Sequence, residues 1–437
     1  MNPVYDEILK VVPIPTMYKV RQEFCDTHIA DVVTTVRNQV LLFKNISLVK
    51  GKTVAVAIGS RGIANISTIA RSLIDALKEK GASVFIVPAM GSHGGAVAEN
   101  QTRILAHLGI TEESMGVPIH SSMETVVIGL TEDEVPVHMD KQAASADYTV
   151  TIARIKPHCS FRGKYESGMI KMCVIGLGKQ HGADYCHFQG MAKMGENLEK
   201  IGKVFMSSSN LLFSLGILEN SLDHTCFIQA FGKDEIMEVE PALLVKATEM
   251  LPRIPFKNFD VLVVDEFGKN ITGTGMDCNV IQRFTSEHMI AKPFYKRLVV
   301  LNLTDASDGN AAGFGLADIS TKKAFQKMDM EKTYPNFLTA RSVIGGRIPI
   351  LMDNDYDAIR AGIKTSPDVS YTQLKVVHIK NTLRLDQLEI SEAMLDEARN
   401  TPHVKVLEKE GRCMQFDSSG NLITDWEEED EKRYDLR

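Results

Sequence analysis

The 437-residue chain lacks the features that tie a protein to a membrane, to nucleic acid or to a disulfide scaffold. Its seven cysteines include no C-x-x-C pair and are odd in number, which indicates neither a disulfide framework nor a structural zinc knuckle. No apolar run approaches the ~20 residues needed to cross a bilayer, and the first residues, MNPVYDEILK, lack a signal-peptide pattern. We therefore expect a cytoplasmic protein with no membrane partner.

Basic charge is also scarce, because 49 Lys and Arg face 56 Asp and Glu and leave a formal net charge of −7. Binding to a phosphate backbone requires a basic face, so nucleic acid is not an expected partner. A hydrophobic content of 44% is typical of a soluble globular enzyme. The length exceeds what one hydrophobic core usually supports and predicts two domains.

An alternation of strands and helices predicts an α/β fold. The segment KTVAVAIG at 52–59 is an apolar, β-branched strand, and helical spacing of apolar residues follows over 65–80. A second strand at 82–88, a glycine loop at 90–95 and a helix at 97–108 repeat the pattern. Such repeats imply parallel or mixed sheets whose ligands bind beyond the carboxyl ends of the strands.

The prolines at 252 and 255 mark a linker over 251–258. We expect an N-terminal α/β domain over 1–250 and a second α/β domain over 259–412. A small hairpin followed by an acidic tail is expected over 413–437. A cleft between the two domains would hold cofactor and substrate.

Two glycine loops follow the first two strands. Gly59, Ser60, Arg61 and Gly62 could hold a phosphate or carboxylate through backbone N–H groups and the guanidinium, although the lysine of a nucleotide-triphosphate loop is missing. A tight turn with a solvated arginine is the alternative interpretation. His93, flanked by glycines in the next loop, could transfer a proton near neutral pH.

The segment from 155 to 187 contains three histidines, four lysines and five glycines. His158 follows a strand predicted over 148–155, which would let its side chain project into a cleft. Lys171 and His187 lie sixteen residues apart on either side of a glycine turn. Taken singly, Lys171 is more typical of an ordinary surface lysine and each histidine of a core histidine. His181, Cys186 and His187, with Cys159 or Cys173, could instead bind zinc or iron, although their spacing matches no zinc pattern.

In this order the motifs resemble the nickel-dependent lactate racemase family, whose members use a nickel-pincer nucleotide. That family has an arginine loop, a T-G-x-H loop, a histidine before a Ser-Gly segment with the cofactor lysine, and a nickel-binding histidine sixteen residues later. The matching positions here are Arg61, His93, His158, Ser167, Gly168, Lys171 and His187.

The second domain carries a weaker likeness and several departures. The family's G-x-x-x-D motif with a later glutamine resembles Gly273–Asp277 and Gln282. The acidic residue three positions before the arginine is replaced by Ile58. The lysine expected three positions after Gln282 is Thr285, and Arg283 could substitute for its charge. The interval from histidine to lysine is three residues longer than in the family, so Lys164 stays open as the cofactor lysine.

The resemblance implies an isomerase: a racemase or epimerase that abstracts hydride at C2 of a 2-hydroxy acid, lactate-like or a larger sugar acid, and returns it. It implies roles for the matched residues as follows: His93 and His158 as general bases, Arg61, Gln282 and Arg283 at the substrate, Gly59, Ser60, Gly62, Ser167 and Gly168 around the cofactor, Lys171 as its covalent anchor, and His187 as nickel ligand.

It also implies cofactor-synthesis enzymes as partners, and a homo-oligomer is compatible with the sequence. Two alternatives remain. One is a non-catalytic metabolite-binding homologue that has lost the cofactor. The other is a zinc-dependent hydrolase or lyase that uses His158, His181 and His187.

Overall fold

The computed structural model describes residues 3–60, 62–290 and 292–426. The chain forms two compact units. One unit consists of Cys25–Leu251, and the other combines the residues up to Phe24 with those from Pro252 onward. Among the described residues, no helix combines the length and apolar character that a membrane span requires.

The strands follow one another along the described chain as β1 Thr16–Gln22, β2 Thr53–Ile58, β3 Ser83–Pro88, β4 Thr125–Leu130, β5 Pro136–Asp140, β6 Tyr148–Arg154, β7 Leu211–Glu219, β8 Thr225–Gly232, β9 Phe259–Phe267, β10 Tyr295–Leu303, β11 Ile319–Thr321, β12 Ile350–Met352, β13 Val376–Ile379, β14 Gln387–Ser391, β15 Val404–Val406, β16 Arg412–Cys413, β17 Gln415–Phe416 and β18 Leu422–Ile423.

The α-helices are α1 Pro3–Leu9, α2 Val32–Leu41, α3 Ile66–Glu79, α4 Ala98–His107, α5 Glu112–Met115, α6 Lys141–Ser145, α7 Met169–Lys171, α8 Lys179–Phe188, α9 Met194–Ser208, α10 Lys233–Glu249, α11 Cys278–Ile281, α12 Lys322–Gln326, α13 Met330–Ala340, α14 Asp355–Thr365 and α15 Leu395–Asn400. A π-helical segment, Met172–Leu177, joins α7 to α8. Short 3-10 turns complete the connections.

The unit of Cys25–Leu251 is built on a five-stranded sheet with the order β3-β2-β6-β7-β8. The strands β3, β2, β6 and β7 are parallel, and β8 pairs antiparallel with β7. Alternate residues of β2 enter two different cores: Val54, Val56 and Ile58 pack with α2 and α3, while Ala55 and Ala57 pack with the π-helix and α9. Helices thus cover both faces of the sheet, as the apolar strands predict.

The other unit contains a nine-stranded mixed sheet with β12-β11-β10-β9-β13-β14-β1-β15 in order and β16 paired to β1. Strands β9 to β13 run parallel within it, whereas β14 and β1 pair antiparallel. A buried layer that includes Val261, Val299 and Ile359 packs α14 against this sheet. The prediction of two α/β units with parallel or mixed sheets is confirmed.

The first residues do not fold with the unit that follows them. We expected them in a domain of residues 1–250, but β1 pairs with β14 from Met17 opposite Ser391 to Arg21 opposite Gln387. Residues up to Phe24 therefore belong to the unit that resumes at Pro252, and this part of the predicted boundary is corrected.

The structure also corrects one helix boundary. A helix was expected near 278–288, but α11 ends at Ile281 because Gln282 adopts a left-handed backbone conformation, with φ of 52°. The hairpin expected after residue 412 is formed by β17 and β18. The acidic tail predicted to follow it lies, from residue 427 on, outside the described residues.

Candidate active site at the carboxyl edge of the first sheet

Three loops leave the same edge of the sheet in the unit of Cys25–Leu251. They follow the parallel strands β2, β3 and β6, and carry Ser60, His93 and His158. The chain moves from β2 to β3 on one side and later to β6 on the other, so this edge is a topological switch point. The fold therefore places the predicted residues where open α/β sheets bind ligands.

Ser60 and His93 are in direct contact across two of these loops, through Ser60 Oγ and His93 Nδ1. The loops lie on the π-helix: a Cβ at Gly59 would be 2.8 Å from Met172 Cε, and Gly91 N donates to Gly176 O at 3.2 Å. The imidazole of His93 is exposed. Arg61, the predicted carboxylate ligand in the same loop, lies outside the described residues.

The other end of the first loop is already occupied by a carboxylate of the chain. Glu219 accepts a hydrogen bond from Ala64 N at 2.7 Å, just before α3, and is paired with Arg154. Gly62 precedes this contact and is half-buried. The structure thus leaves Gly59 and Ser60 as the part of the predicted phosphate loop nearest to His93, and the phosphate role stays a prediction.

A network of buried polar side chains holds the loop of His93. Gln101 Nε2 donates to Gly91 O at 3.0 Å and to His93 O at 3.1 Å. Lys179 Nζ, which is fully buried, donates to Pro88 O and forms an ion pair with Asp140. This network fixes the backbone conformation at His93 and so positions its imidazole.

His158 is half-buried at the end of β6, and its surroundings define its tautomer. Ser160 N donates to His158 Nδ1 at 3.1 Å, so the neutral ring carries its proton on Nε2. The backbone N–H of His158 donates to Glu166 Oε2 at 2.6 Å. Burial raises the pKa of the Glu166 carboxyl, while hydrogen bonds from the backbone and the charges of Arg162 and Lys171 oppose that shift.

Lys171 lies in the same group of residues. Its Nζ is 5.9 Å from the centre of the Phe161 ring, and the His158 ring lies 4.4 Å from the same ring. Burial raises the pKa of the Cys186 thiol to about 12, and the charge of Lys171 acts in the opposite direction. The charge of Lys171 thus acts on the carboxyl of Glu166 and on the thiol of Cys186, the residue that precedes His187.

The chain reverses its direction between Lys171 and His187. A straight helix would separate residues 171 and 186 by roughly 22 Å at 1.5 Å per residue. Instead Lys179 adopts φ of 54° and breaks the helical path, and α8 turns back onto the π-helix. Gly182 permits the close crossing, since a Cβ there would lie 2.4 Å from Val174 O. The path from Lys171 to His187 therefore folds back on itself between Val174 and Gly182.

The start of the helix that carries Lys171 rests on a buried carboxyl group. Glu240 is fully buried, accepts a hydrogen bond from Ile170 N at 2.9 Å, and lies so close to Gly168 that a Cβ there would be 2.4 Å from Glu240 Oε1. Burial raises the pKa of Glu240 to about 7, against the hydrogen bonds from Ile170 and Met169. Gly168 is therefore required by packing, and Ser167 before it pairs with Lys156 through the backbone.

The competing sequence interpretations occupy other positions. Lys164 is exposed, with Nζ 5.3 Å from the centre of the Tyr165 ring, whereas Lys171 is half-buried. The assignment of the cofactor lysine stays a prediction. His181 is exposed and stacks on His138, with ring centres 4.9 Å apart. In the part of the chain that the structure describes, His158, His181 and His187 do not form a three-ligand metal group.

Gln282 and Arg283 belong to the other unit. Gln282 Nε2 donates to its neighbour Asn279 O at 2.5 Å. Arg283 is paired with Asp318 at 2.6 Å and lies 5.3 Å from the centre of the Tyr295 ring, so its charge is already compensated within the fold. Their substrate roles stay predictions. Ile58 and Thr285, which replace charged residues of the family pattern, are both buried.

Sequence reasoning missed the residues that support this site: Gln101, Asp140, Glu166, Lys179 and Glu240. Lys179 and Asp140 are 39 residues apart, and Glu240 lies 70 residues from Ile170. Gln101 and Glu166 instead contact loops within 10 residues of them, where no motif marks them. The one local signal was the placement of Lys179 directly after Gly178, at the turn that separates Lys171 from His187.

Residues 30–198 match the family model described as the lactate racemase N-terminal domain. Among solved structures, the chain is similar to the lactate racemase apoprotein from Thermoanaerobacterium thermosaccharolyticum, at 14% identity and a TM-score of 0.49, over 79% of this chain and 90% of that chain. A protein from Thermotoga maritima is similar at 14% identity and a TM-score of 0.43, over 64% of this chain and 72% of that chain.

No curated protein matches the chain. The family match covers the loops of Ser60, His93 and His158 and the whole helical segment from Lys171 to His187. Residues 30–198, which carry this site, are thus similar to the lactate racemase N-terminal domain.

Proposed function

We propose that the protein is a racemase or epimerase of a 2-hydroxy acid that works with a covalently held nickel-pincer nucleotide. The observation that carries the proposal is the chain reversal between Lys171 and His187, in which α8 crosses the π-helix so closely that a Cβ at Gly182 would lie 2.4 Å from Val174 O. An amine and an imidazole on the two arms of this reversal suit the two attachments that this cofactor requires. Lys171 would hold the nucleotide covalently, and His187 would supply a nitrogen ligand to the nickel.

When bound, the nickel-pincer nucleotide supplies a carbon that accepts the C2 hydride of the substrate and returns it to either face. The remaining chemistry belongs to the protein. The substrate hydroxyl must lose a proton as C2 becomes a planar keto carbon, and must regain one on reduction. Each transfer needs a side chain within hydrogen-bond reach.

His93 is suited to accept that proton. It is exposed at the carboxyl edge, and Ser60 Oγ and Gln101 orient the ring and its backbone. His158 differs, because Ser160 N–H holds the neutral ring with its proton on Nε2. In that form His158 donates a hydrogen bond to a substrate oxygen, and it accepts a proton at Nε2 only after the ring proton moves to Nδ1 and the Ser160 contact is lost.

The experiment is intact-protein mass and metal analysis after expression together with the cofactor-synthesis enzymes. We expect a mass increase of nucleotide size on the peptide that contains Lys171, with about one nickel per chain. Lys171→Ala should abolish the adduct, and Lys164→Ala is the matched control that should keep it. An adduct that persists in Lys171→Ala would show that the anchor is misassigned.

Specific observations also support a second candidate, a metabolite-binding homologue that does not load the cofactor. Ile58 and Thr285 stand where the family pattern has charged residues, and both are buried in their units. Wild-type protein with unmodified Lys171 and no nickel, under conditions that load an established lactate racemase, would favour this candidate. Screening of 2-hydroxy and sugar acids for inversion at C2 without uptake of solvent deuterium separates the two candidates.

A further inference from the structure

Two histidines and an aspartate converge on the unit of Cys25–Leu251, in a place that the proposed reaction does not use. His224 Nδ1 lies 2.5 Å from Asp26 Oδ1, and His28 Nδ1 lies 3.4 Å from the same oxygen. The two imidazole rings meet edge to face, with centres 5.1 Å apart. One ligand atom from each of the three side chains falls within 4.8 Å of the others.

The backbone brings these side chains together from segments about two hundred residues apart. Ile29 N donates to Thr225 O at 2.8 Å, beside His28 and His224. Asn220 Oδ1 accepts His224 N at 3.0 Å and thereby shapes the turn between β7 and β8, while its amide donates to Asp26 Oδ1 at 3.2 Å. Asn220 thus orients both the turn and the carboxylate, as the supporting residues of metal sites do.

The chemistry of the three donors favours a cation. Asp26 is a carboxylate at neutral pH, as aspartate ordinarily is. His224 Nδ1 contacts that carboxylate, while His28 Nδ1 lies 2.7 Å from the backbone carbonyl oxygen of Asp26, which leaves Nε2 of the neutral His28 ring as an acceptor for a metal ion. Two imidazoles and one carboxylate select Zn²⁺, Co²⁺, Ni²⁺ or Cu²⁺ rather than Ca²⁺ or Mg²⁺, which prefer oxygen.

We propose that Asp26, His28 and His224 bind a divalent transition-metal ion of the Zn²⁺ class. Zinc ligands lie about 2.0–2.2 Å from the metal, so two ligand atoms of a tetrahedral site are about 3.4 Å apart. The observed spread of 4.8 Å is compatible with that distance after small side-chain rotations. Three protein ligands leave a coordination position for water. Neither Lys171 nor His187 belongs to this site.

The site has a mechanical consequence for its own unit. Asp26 and His28 follow Cys25, where the unit begins, and Ser221 in the β7–β8 turn donates to Met250 O at 2.6 Å, where the unit ends. An ion held by residues 26, 28 and 224 would join the first segment of the unit to the turn that contacts its last helix. Zinc should therefore stabilise the folded protein by an amount that rises with the logarithm of the zinc concentration above the dissociation constant.

The test is calorimetric titration of the full chain with Zn²⁺, together with thermal unfolding at several zinc concentrations. We expect wild type to bind Zn²⁺ and to unfold at a higher temperature with zinc. His224→Gln and Asp26→Asn should each lower the zinc affinity of this site at least about 10-fold. Asp26→Asn keeps the side-chain shape and serves if His224→Gln does not fold.

His107→Gln is the matched control, because His107 is an exposed histidine of the same unit whose Nδ1 contacts only a carbonyl of its own helix among the described contacts. It should bind zinc like wild type, and so should His187→Ala, which removes the proposed nickel ligand. Equal zinc binding by folded His224→Gln and wild type, or no binding by wild type, would overturn the proposal without touching the proposed racemase function.

Discussion

Lys179 and Asp140 form an ion pair in which neither side chain is exposed to solvent, with 3.1 Å between Nζ and Oδ2. Burial lowers the pKa of the Lys179 ammonium, and the Asp140 carboxylate opposes that effect. The pair joins the chain reversal at Lys179 to the strand β5 that contains Asp140. Removal of either partner therefore affects the path from Lys171 to His187.

Lys179→Met should lower the free energy of unfolding by about 3–5 kcal/mol, because Asp140 would keep a buried charge without its partner. Urea denaturation measures this loss. The double variant Lys179→Met/Asp140→Asn should lose less, since the buried charge is gone and the asparagine oxygen can still accept Ala143 N. Lys193→Met, at an exposed pair, should cost less than about 1 kcal/mol, and an equally small loss for Lys179→Met would contradict the structural role.

Glu240→Gln should make the stability of the protein less dependent on pH. Burial raises the pKa of Glu240 from its ordinary 4.5 to about 7, so the protonated carboxyl stabilises the fold. This contribution is complete below pH 4.5, declines as pH rises and is lost above about 7, and its size is about 3 kcal/mol.

Urea midpoints at pH 5 and pH 8 test this expectation. Wild type should lose stability between the two values by more than Glu240→Gln does, because the glutamine cannot ionise. Parallel changes in both proteins would mean that Glu240 has the same pKa in the folded and unfolded chains.

Gly182→Ala should displace α8 from the π-helix, because the added Cβ would lie 2.4 Å from Val174 O. Overpacking of this kind costs about 1–3 kcal/mol. The variant should also load less cofactor on Lys171, since α8 carries His187. Gly190→Ala is the control: it meets no atom within 4 Å and should cost only the strain of its left-handed backbone. Unchanged loading and stability in Gly182→Ala would rule out the tight crossing.

Trp426 offers an optical signal in the other unit, because it is the single tryptophan of the sequence. Its Nε1 donates to Asp265 Oδ2 at 2.6 Å, and Asp265 and Glu389 flank the buried His378. Burial alone would lower the pKa of His378, but the two carboxylates raise it to about 10. The stabilisation is therefore complete below about pH 6.5, the usual imidazole pKa, and is lost as pH rises through about 10.

We expect the emission of Trp426 to shift to longer wavelength as pH rises through about 10, when His378 loses its charge and the indole contact weakens. His378→Gln should show the shifted emission already at pH 7 and no further step near pH 10. A pH profile identical in both proteins would show that the emission of Trp426 does not depend on the charge of His378.

The sequence was informative where apolar residues continue over a whole strand. The predicted strands at 52–59, 82–88 and 148–155 agree with β2, β3 and β6, because strands buried on both faces are continuously apolar. The loops after them could be placed at one edge for the same reason. The order and direction of the strands then determined which polar residues share that edge.

The rest depended on contacts that no local pattern encodes. Lys179 adopts a left-handed backbone although glycine is the residue that favours it, and its partner Asp140 is 39 residues earlier. Gly168 faces Glu240 from a different helix. The short strand β1 could not be assigned to its sheet, since its partner β14 begins at Gln387.

The pairing of β1 with β14 also determines when the protein can finish folding during synthesis. The ribosome makes β1 first, then all of Cys25–Leu251, and only much later the strand against which β1 pairs. The unit that carries Lys171 and His187 can complete its sheet while the remainder is still being translated. The other sheet must wait, with β1 already synthesised, until residue 391 has left the exit tunnel.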